Sequence, residues 1–219
     1  MMVVKIVTSA LAIFVAIVTH EMSHAFMAHK LGDNTAKHQN RLSFNPFNHV
    51  DIFGTIVLPI LLFISKTGFI IGWAKPVPID YSKFKQTKRD IFLVASAGVV
   101  ANILLAIISS IMLKLTLLVY IPILSGFMAM FWLNSMFFNI VLAAFNILPI
   151  PPLDGAKMIF IWFNNQRIKN FANSDYYGLI AIVIIAFIIP AFLQFFNINI
   201  NPIADYLRYI SSTISNWLI

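Results

Sequence analysis

The chain has 219 residues, of which 60% are hydrophobic and only 11% are charged. Soluble domains usually carry about 25% charged residues, so one soluble core could not hide this much apolar surface, and the class is a membrane protein. The absence of cysteine excludes disulfides, thiolate metal sites and a cysteine nucleophile, and the net charge of +7 sits in loops between apolar runs, which points to membrane topology and anionic headgroups, with no nucleic-acid motif.

Lys5 precedes an apolar run from Ile6 to Thr19. No small-residue cleavage pattern follows, and the run leads straight into His20-Glu21-Met22-Ser23-His24, so it is expected to be a retained helix and not a signal peptide. A first helix is predicted over Met2 to Lys30, ended by Gly32-Asp33-Asn34. Lys37 to Asp51 is polar, with alternation around Arg41 to Phe44 and a break at Pro46, which predicts a short strand or hairpin. Ile52 to Ser65 is apolar but short of the ~20 residues that span a bilayer. Together with Phe69 to Trp73, beyond the turn at Lys66-Thr67-Gly68, it predicts a re-entrant hairpin. Lys75-Pro76-Val77-Pro78 must be extended, because each proline blocks helix. Tyr81 to Asp90 reads as a basic loop. Long helices are predicted over Ile91 to Val119 and over Ile123 to Leu148, with a tight turn at Ile121-Pro122 between them. Pro149, Pro151 and Pro152 break the second, and a short amphipathic helix is expected from Ala156 to Asn164. Tyr177 to Phe196 is a last span. Pro202 to Ile219 reads as an amphipathic helix lying at the membrane interface.

The expected fold class is therefore an all-α polytopic membrane protein with about five transmembrane or long membrane helices, a re-entrant hairpin and a short polar strand or hairpin segment. No repeat or long linker divides it. Residues 1–219 are expected to form a single domain, with a core over roughly 1–165 and a final span and tail over roughly 176–219. Re-entry of residues 52–73 also sets the orientation. It gathers eleven of the fifteen Lys and Arg residues, Lys30, Lys37, Arg41, Lys75, Lys83, Lys85, Lys88, Arg89, Lys157, Arg167 and Lys169, on one side. Lys5, Lys114 and Arg208 fall on the other. By the positive-inside rule the crowded side is the cytoplasm.

His20 and His24 are four residues apart and share one helix face, where two imidazoles can bind one metal ion. Glu21 sits on the adjacent face and can take a proton from a water at that metal. It is the one glutamate in the chain, and with five histidines in 219 residues the chance of flanking it correctly on both sides is roughly one in two thousand. A mere polar patch at a helix end would bury ionisable groups at membrane depth, which is costly. A catalytic zinc takes three protein ligands and keeps one position open. His29, His38, His49 and most aspartates sit in polar segments and read as solvated. Asp154 differs, because it ends a proline-broken segment directly after an apolar helix. Irregular backbone at that depth must line protein or a wet cavity. On chemistry alone Asp154 fits a third metal ligand and, equally, the N-cap of the next helix.

Together, His20-Glu21-Met22-Ser23-His24 on a membrane helix and Asn146-Ile147-Leu148-Pro149-Ile150-Pro151-Pro152-Leu153-Asp154-Gly155 resemble the paired motifs of the site-2 protease family of intramembrane zinc metalloproteases. Ala97-Gly98-Val99-Val100-Ala101-Asn102 resembles that family's Gly…Asn motif. Gly72-Trp73-Ala74-Lys75-Pro76-Val77-Pro78 resembles a segment of its short prokaryotic members. The resemblance implies one Zn2+ per chain, held by His20, His24 and Asp154, with Glu21 as the catalytic base. It implies that Asn146 faces the active site and holds a substrate carbonyl or oxyanion, a task that suits an amide donor. Asn102 with Gly98 is expected to close helix packing, and His49 and Asp51 to organise the polar hairpin. Some members carry a PDZ domain. This chain has no room for one, so control of substrate access is expected from the hairpin, the tail or a partner.

The activity implied is hydrolysis of peptide bonds in transmembrane or membrane-anchored proteins near the cytoplasmic face, in a prokaryotic plasma membrane. The extended Ile71 to Ile79 segment could offer a strand edge to a locally unwound substrate. The partners are then the substrate and the bilayer, with no nucleic acid. A homo-oligomer or a regulatory membrane partner stays open. The rival reading is a zinc-binding transporter or a non-proteolytic adaptor. A transporter calls for ionisable residues through several spans, and Ile123 to Leu148 has none. Loss of proteolysis is argued against by four intact site residues. A hydrolase of lipids or small amides is a third reading.

Overall fold

The computed structural model describes residues 2–43, 45, 48, 50–52, 57, 75–119, 124–165, 168, 171, 180, 184–195 and 200–218. Helix α1 (Met2–Lys30) is followed by the single turn α2 (Thr35–His38), then by α3 (Thr87–Leu118) and α4 (Leu124–Asn146). Beyond them come α5 (Asp154–Phe160), a π-helical turn over Ile184–Ile188 that continues into α6 (Ile189–Phe195), and α7 (Pro202–Leu218). Helices α1, α3 and α4 pack on one another and form the body of the protein. All three are long and apolar enough to cross a membrane.

The sequence puts small and polar residues inside this bundle and large apolar ones outside. On α1 the buried face includes Thr8, Ala12, Ala16, His20, His24 and Ala28, a stripe with one residue per helical turn. Alanine lets neighbouring backbones approach closely, which is how helices pack when lipid competes for apolar contacts. Helix α3 presents a matching stripe that includes Asp90, Val94, Gly98, Asn102 and Ala106. Helix α4 adds Ser135, Asn139 and Ala143. Val100, Leu104, Ile111 and Leu118 of α3 are exposed and suit lipid contact. His20 and His24 thus continue an alanine stripe, so the same periodicity that packs α1 carries the chemistry inward.

The polar connection after α1 differs from expectation. Among the described residues of 37–51 there is no strand. Thr35–His38 is helical, and Asn40 has φ 54°, a left-handed turn conformation that an extended strand does not contain. The alternation at Arg41 to Ser43 instead serves burial: Arg41 is 6% exposed, and Leu42 packs against Ala25, Ala36 and Val77. Residues 75–80 are extended, as the prolines require, and their backbone is held by side chains. Arg41 donates to the carbonyls of Lys75 and Pro76, Asp80 N–H donates to Asp33 Oδ2 at 2.7 Å, and Val77 N–H donates to Glu21 Oε2 at 2.9 Å. Burial alone would raise the Asp33 carboxyl, but the Thr35 hydroxyl, the N–H groups of Asp80 and Thr35, and the Lys83 ammonium together hold it below the usual carboxylate range.

Helix α3 begins at Thr87, four residues before its apolar run, because Asp90 Oδ2 reaches back to accept the Gln86 N–H at 2.8 Å. Helix α7 does not lie across the end of the bundle as an interfacial helix would. Tyr206 donates to Ala144 O at 3.3 Å, and Ser110 donates to the carbonyl of Leu218. The helix therefore runs alongside α3 and α4, with Ile210 and Leu218 on the cluster of Ala106, Met136 and Ile140. The expected hairpin over 52–73 and most of the expected span over 177–196 lie outside the described residues. Among the described residues the all-helical class stands, with three membrane-length helices where about five were expected.

Candidate active site and metal centre

The backbone of α3 comes unusually close to the two imidazoles of α1. A Cβ at Gly98 would lie 2.5 Å from His24 Nε2 and 2.6 Å from His20 Cε1. No side chain fits there, so Gly98 is where α3 makes room for the histidine pair. Gly98→Ala is expected to displace the rings and weaken metal binding by about tenfold or more. Chelator competition checks this, with circular dichroism confirming that helix content is kept.

Asp154 reaches the pair from the far side. The chain turns sharply after α4, and Gly155 allows it: a Cβ there would lie 2.2 Å from Ile147 O. Asp154 is the first residue of α5, whose N-cap position is held by Leu153 with no side-chain cap. Its carboxylate turns instead to the histidines. Asp154 Oδ2 lies 3.1 Å from His20 Nε2 and 3.1 Å from His24 Nε2, and the two Nε2 atoms are 3.1 Å apart. All three residues are buried.

Hydrogen bonds on the outer side of each ring decide what these atoms carry. His24 Nδ1 is 2.7 Å from Val94 O, which only accepts, so Nδ1 holds the proton. His20 Nδ1 is 2.6 Å from Asn102 Oδ1, and the Asn102 Nδ2 is engaged with Asn139 Oδ1 and Ala16 O. Here too Nδ1 holds the proton. Both Nε2 atoms therefore present lone pairs, and Asp154 Oδ2 has no hydrogen-bond partner although it is buried. Three converging lone pairs repel one another unless a cation lies between them. Zinc bonds of ~2.0–2.1 Å in a tetrahedron give ligand edges of about 3.3 Å, close to the spacing found. The donor set, two neutral imidazoles and a carboxylate, each imidazole steadied through its second nitrogen, fits zinc.

Glu21 and Asn146 line the same cavity of about 460 Å³ as His20, His24 and Asp154, together with Val77. Glu21 stands outside the donor trio, its Oε2 bonded to Val77 N–H. Asn146 Nδ2 donates to Leu142 O at 3.0 Å, which uses one of its two N–H groups. All five residues named from the sequence are thus brought to one cavity. Asn102 does more than close packing, since it holds His20. Asn139 and the Val94 carbonyl were not anticipated. An amide seven residues before Asn146, on the same face of an apolar helix, is the sequence signal that points to Asn139. A backbone carbonyl leaves none. His49 lies outside the described residues.

Residues 118–191 match the profile of Peptidase family M50. "Putative zinc metalloprotease YwhC" of Bacillus subtilis (strain 168) is 35% identical over 183 residues, covering 82% of this chain and 80% of that relative. "Putative zinc metalloprotease Rip2" of Mycolicibacterium smegmatis is 28% identical over 181 residues, covering 81% of this chain and 65% of the relative. The protein of the same name from Mycobacterium tuberculosis (strain H37Rv) is 27% identical over 174 residues, covering 78% and 63% respectively. No solved structure matches. A relative this similar over most of both chains, with the family profile lying across the Asn146 to Asp154 segment, fixes the affiliation: the chain belongs to peptidase family M50, the site-2 protease family.

Proposed function

We propose that the chain is an intramembrane zinc metalloprotease in which His20, His24 and Asp154 hold one Zn2+, Glu21 is the catalytic base and Asn146 holds the substrate. The observation that carries this reading is the convergence of two bare imidazole nitrogens and an unpartnered carboxylate oxygen beside the chain's one glutamate, within apolar helices. The relatives' names agree with it. Zinc, when bound, supplies Lewis acidity that polarises the scissile carbonyl. Glu21 accepts the proton of the attacking water and returns it to the leaving amine. Asn146 donates an N–H to the carbonyl oxygen as negative charge develops, without itself titrating. Val77 N–H steadies Glu21 meanwhile.

The substrate is a transmembrane or membrane-anchored protein, unwound locally because a helical peptide bond is shielded by its own hydrogen bonds. Comparing membrane proteomes of wild-type cells and cells carrying Glu21→Gln tests the function. Single-span proteins should accumulate, or lose a shortened form, in the variant. Unchanged membrane proteins under every growth condition tried would count against proteolysis.

The membrane arrangement follows from charge. In this reading residues 1–219 form one domain of about five membrane helices with a re-entrant 52–73 segment, in a prokaryotic plasma membrane. The loops around Ser43 and Ser82 then face the cytoplasm, and the C-terminal end of α7 faces outward. With no native cysteine, single cysteines give a clean assay. A membrane-impermeant maleimide on intact cells is expected to label Ser215→Cys and to spare Ser43→Cys and Ser82→Cys. Labelling of Ser82→Cys with Ser43→Cys protected would show that 52–73 crosses.

A further inference from the structure

A chain of buried polar side chains leads away from His20 toward the far half of the bundle. Asn102 Nδ2 donates to Asn139 Oδ1 at 2.7 Å and, at a longer 3.2 Å, to Ala16 O. Asn139 Nδ2 donates to Ser135 O at 2.7 Å. Ser135 Oγ and Ser109 Oγ lie 2.8 Å apart. Asn102, Asn139 and Ser109 are all 0% exposed. Packing alone does not ask for two amides in the middle of apolar helices, where an unmet polar group is costly.

We propose that Asn139 is a positioning residue for the metal centre, acting through Asn102 to fix the tautomer and orientation of His20. The proposal rests on His20 being a metal ligand. A primary amide can turn over, exchanging its oxygen and its NH2. In the orientation present, Asn102 Oδ1 accepts from His20 Nδ1–H, and Nε2 keeps the lone pair that faces Asp154 and His24. If Asn102 turned over, its NH2 would face Nδ1, the imidazole proton would move to Nε2, and that nitrogen could no longer bind a metal. The turned amide would also set its oxygen against Asn139 Oδ1, two acceptors facing each other in a low-dielectric interior. Asn139 cannot yield by turning as well, because its own NH2 is committed to Ser135 O. Helix α4, through the shorter of the two bonds that hold the Asn102 NH2, thus helps set which nitrogen of a residue on α1 is bare.

The test measures Zn2+ affinity of the purified full-length chain by chelator competition. Asn139→Ala is expected to weaken binding about tenfold, in the range seen when outer partners of a ligand are removed. In an Asn102→Ala background the same change should add nothing, because the effect passes through Asn102. Asn139→Asp should stay within about threefold of the parent, since a protonated carboxyl keeps both the acceptor and the donor. The electronic spectrum of the Co2+-loaded protein should shift in Asn139→Ala and not in Asn139→Asp. Parent-like affinity and spectrum in Asn139→Ala, with only a lower melting point, would overturn the proposal, and so would additive losses in the double variant. Should Asn139→Ala not accumulate, Asn139→Thr replaces it: a loss there supports the relay and retained affinity overturns it. Full zinc affinity in His20→Ala would instead remove the ligand assignment beneath it.

Discussion

Glu21→Gln is expected to reduce proteolysis by at least about 10²-fold while the purified protein keeps close to one zinc per chain. The two halves of this result have separate causes. Glutamine has nearly the shape of glutamate, and its carbonyl oxygen can accept the Val77 N–H that Glu21 Oε2 accepts at 2.9 Å. The extended 75–80 segment, held also by Arg41 and Asp33, therefore stays where it is. The donor trio is His20, His24 and Asp154, which the substitution leaves intact. What is lost is a basic group beside the attacking water. Elemental analysis and turnover of a membrane substrate identified from the proteome comparison measure the two halves. Residual turnover above about one percent would remove Glu21 from the role of base. Loss of zinc with the activity would place it among the ligands instead.

The parts of this site that sequence could reveal are those encoded by spacing. His20, Glu21 and His24 sit on adjacent helix faces at intervals that chemistry needs, and α1 spans Met2–Lys30 as periodicity and the Gly32 stop predict. Asp154 was legible as a candidate because prolines break the chain beside it, but its competing role as a cap could be settled only by where the next helix begins. Leu153 occupies that position, one residue earlier than an aspartate cap requires. Spacing alone makes Gly98 a packing residue. That its missing Cβ makes room for two imidazoles depends on the rotation of α3 against α1, which no local pattern encodes.

The misreadings have physical causes too. Four alternating residues around Arg41 look like a strand, yet a period of two over so short a run is met equally by an irregular loop that buries Arg41 and half-buries Leu42. An amphipathic helix such as α7 presents the same stripe whether its apolar side meets lipid at an interface or a groove between helices. Here Ile210 and Leu218 found the groove beside Ala106 and Ile140. The spacing of apolar residues fixes the amphipathicity, and only the neighbouring surface fixes what covers it.

Asp154→Ala is expected to cost both zinc and activity, with affinity falling by more than about 100-fold, beyond the range for outer partners of a ligand. The carboxylate supplies one of three converging donors and the one negative charge among them. Without it, two neutral imidazoles remain, and a site with two protein ligands holds zinc poorly. The fold should survive the loss. Asp154 is not the cap of α5, and the turn that delivers it depends on Gly155 passing Ile147 O, a contact the substitution leaves alone. The comparison needs a carboxylate whose removal is harmless. Asp33 does not serve, because it is buried and ties the end of α1 to Asp80 and Lys83. Asp205 does, since its exposed pairing with Arg208 at 3.6 Å contributes little and its other bond, from the Asn201 N–H at 2.9 Å, serves the start of α7 and not the site. Asp205→Ala should retain full zinc and full turnover. If Asp154→Ala also kept both, the aspartate would be no ligand, and Glu21 would be the remaining carboxylate among the described residues that lines the same cavity and could act as third donor to His20 and His24.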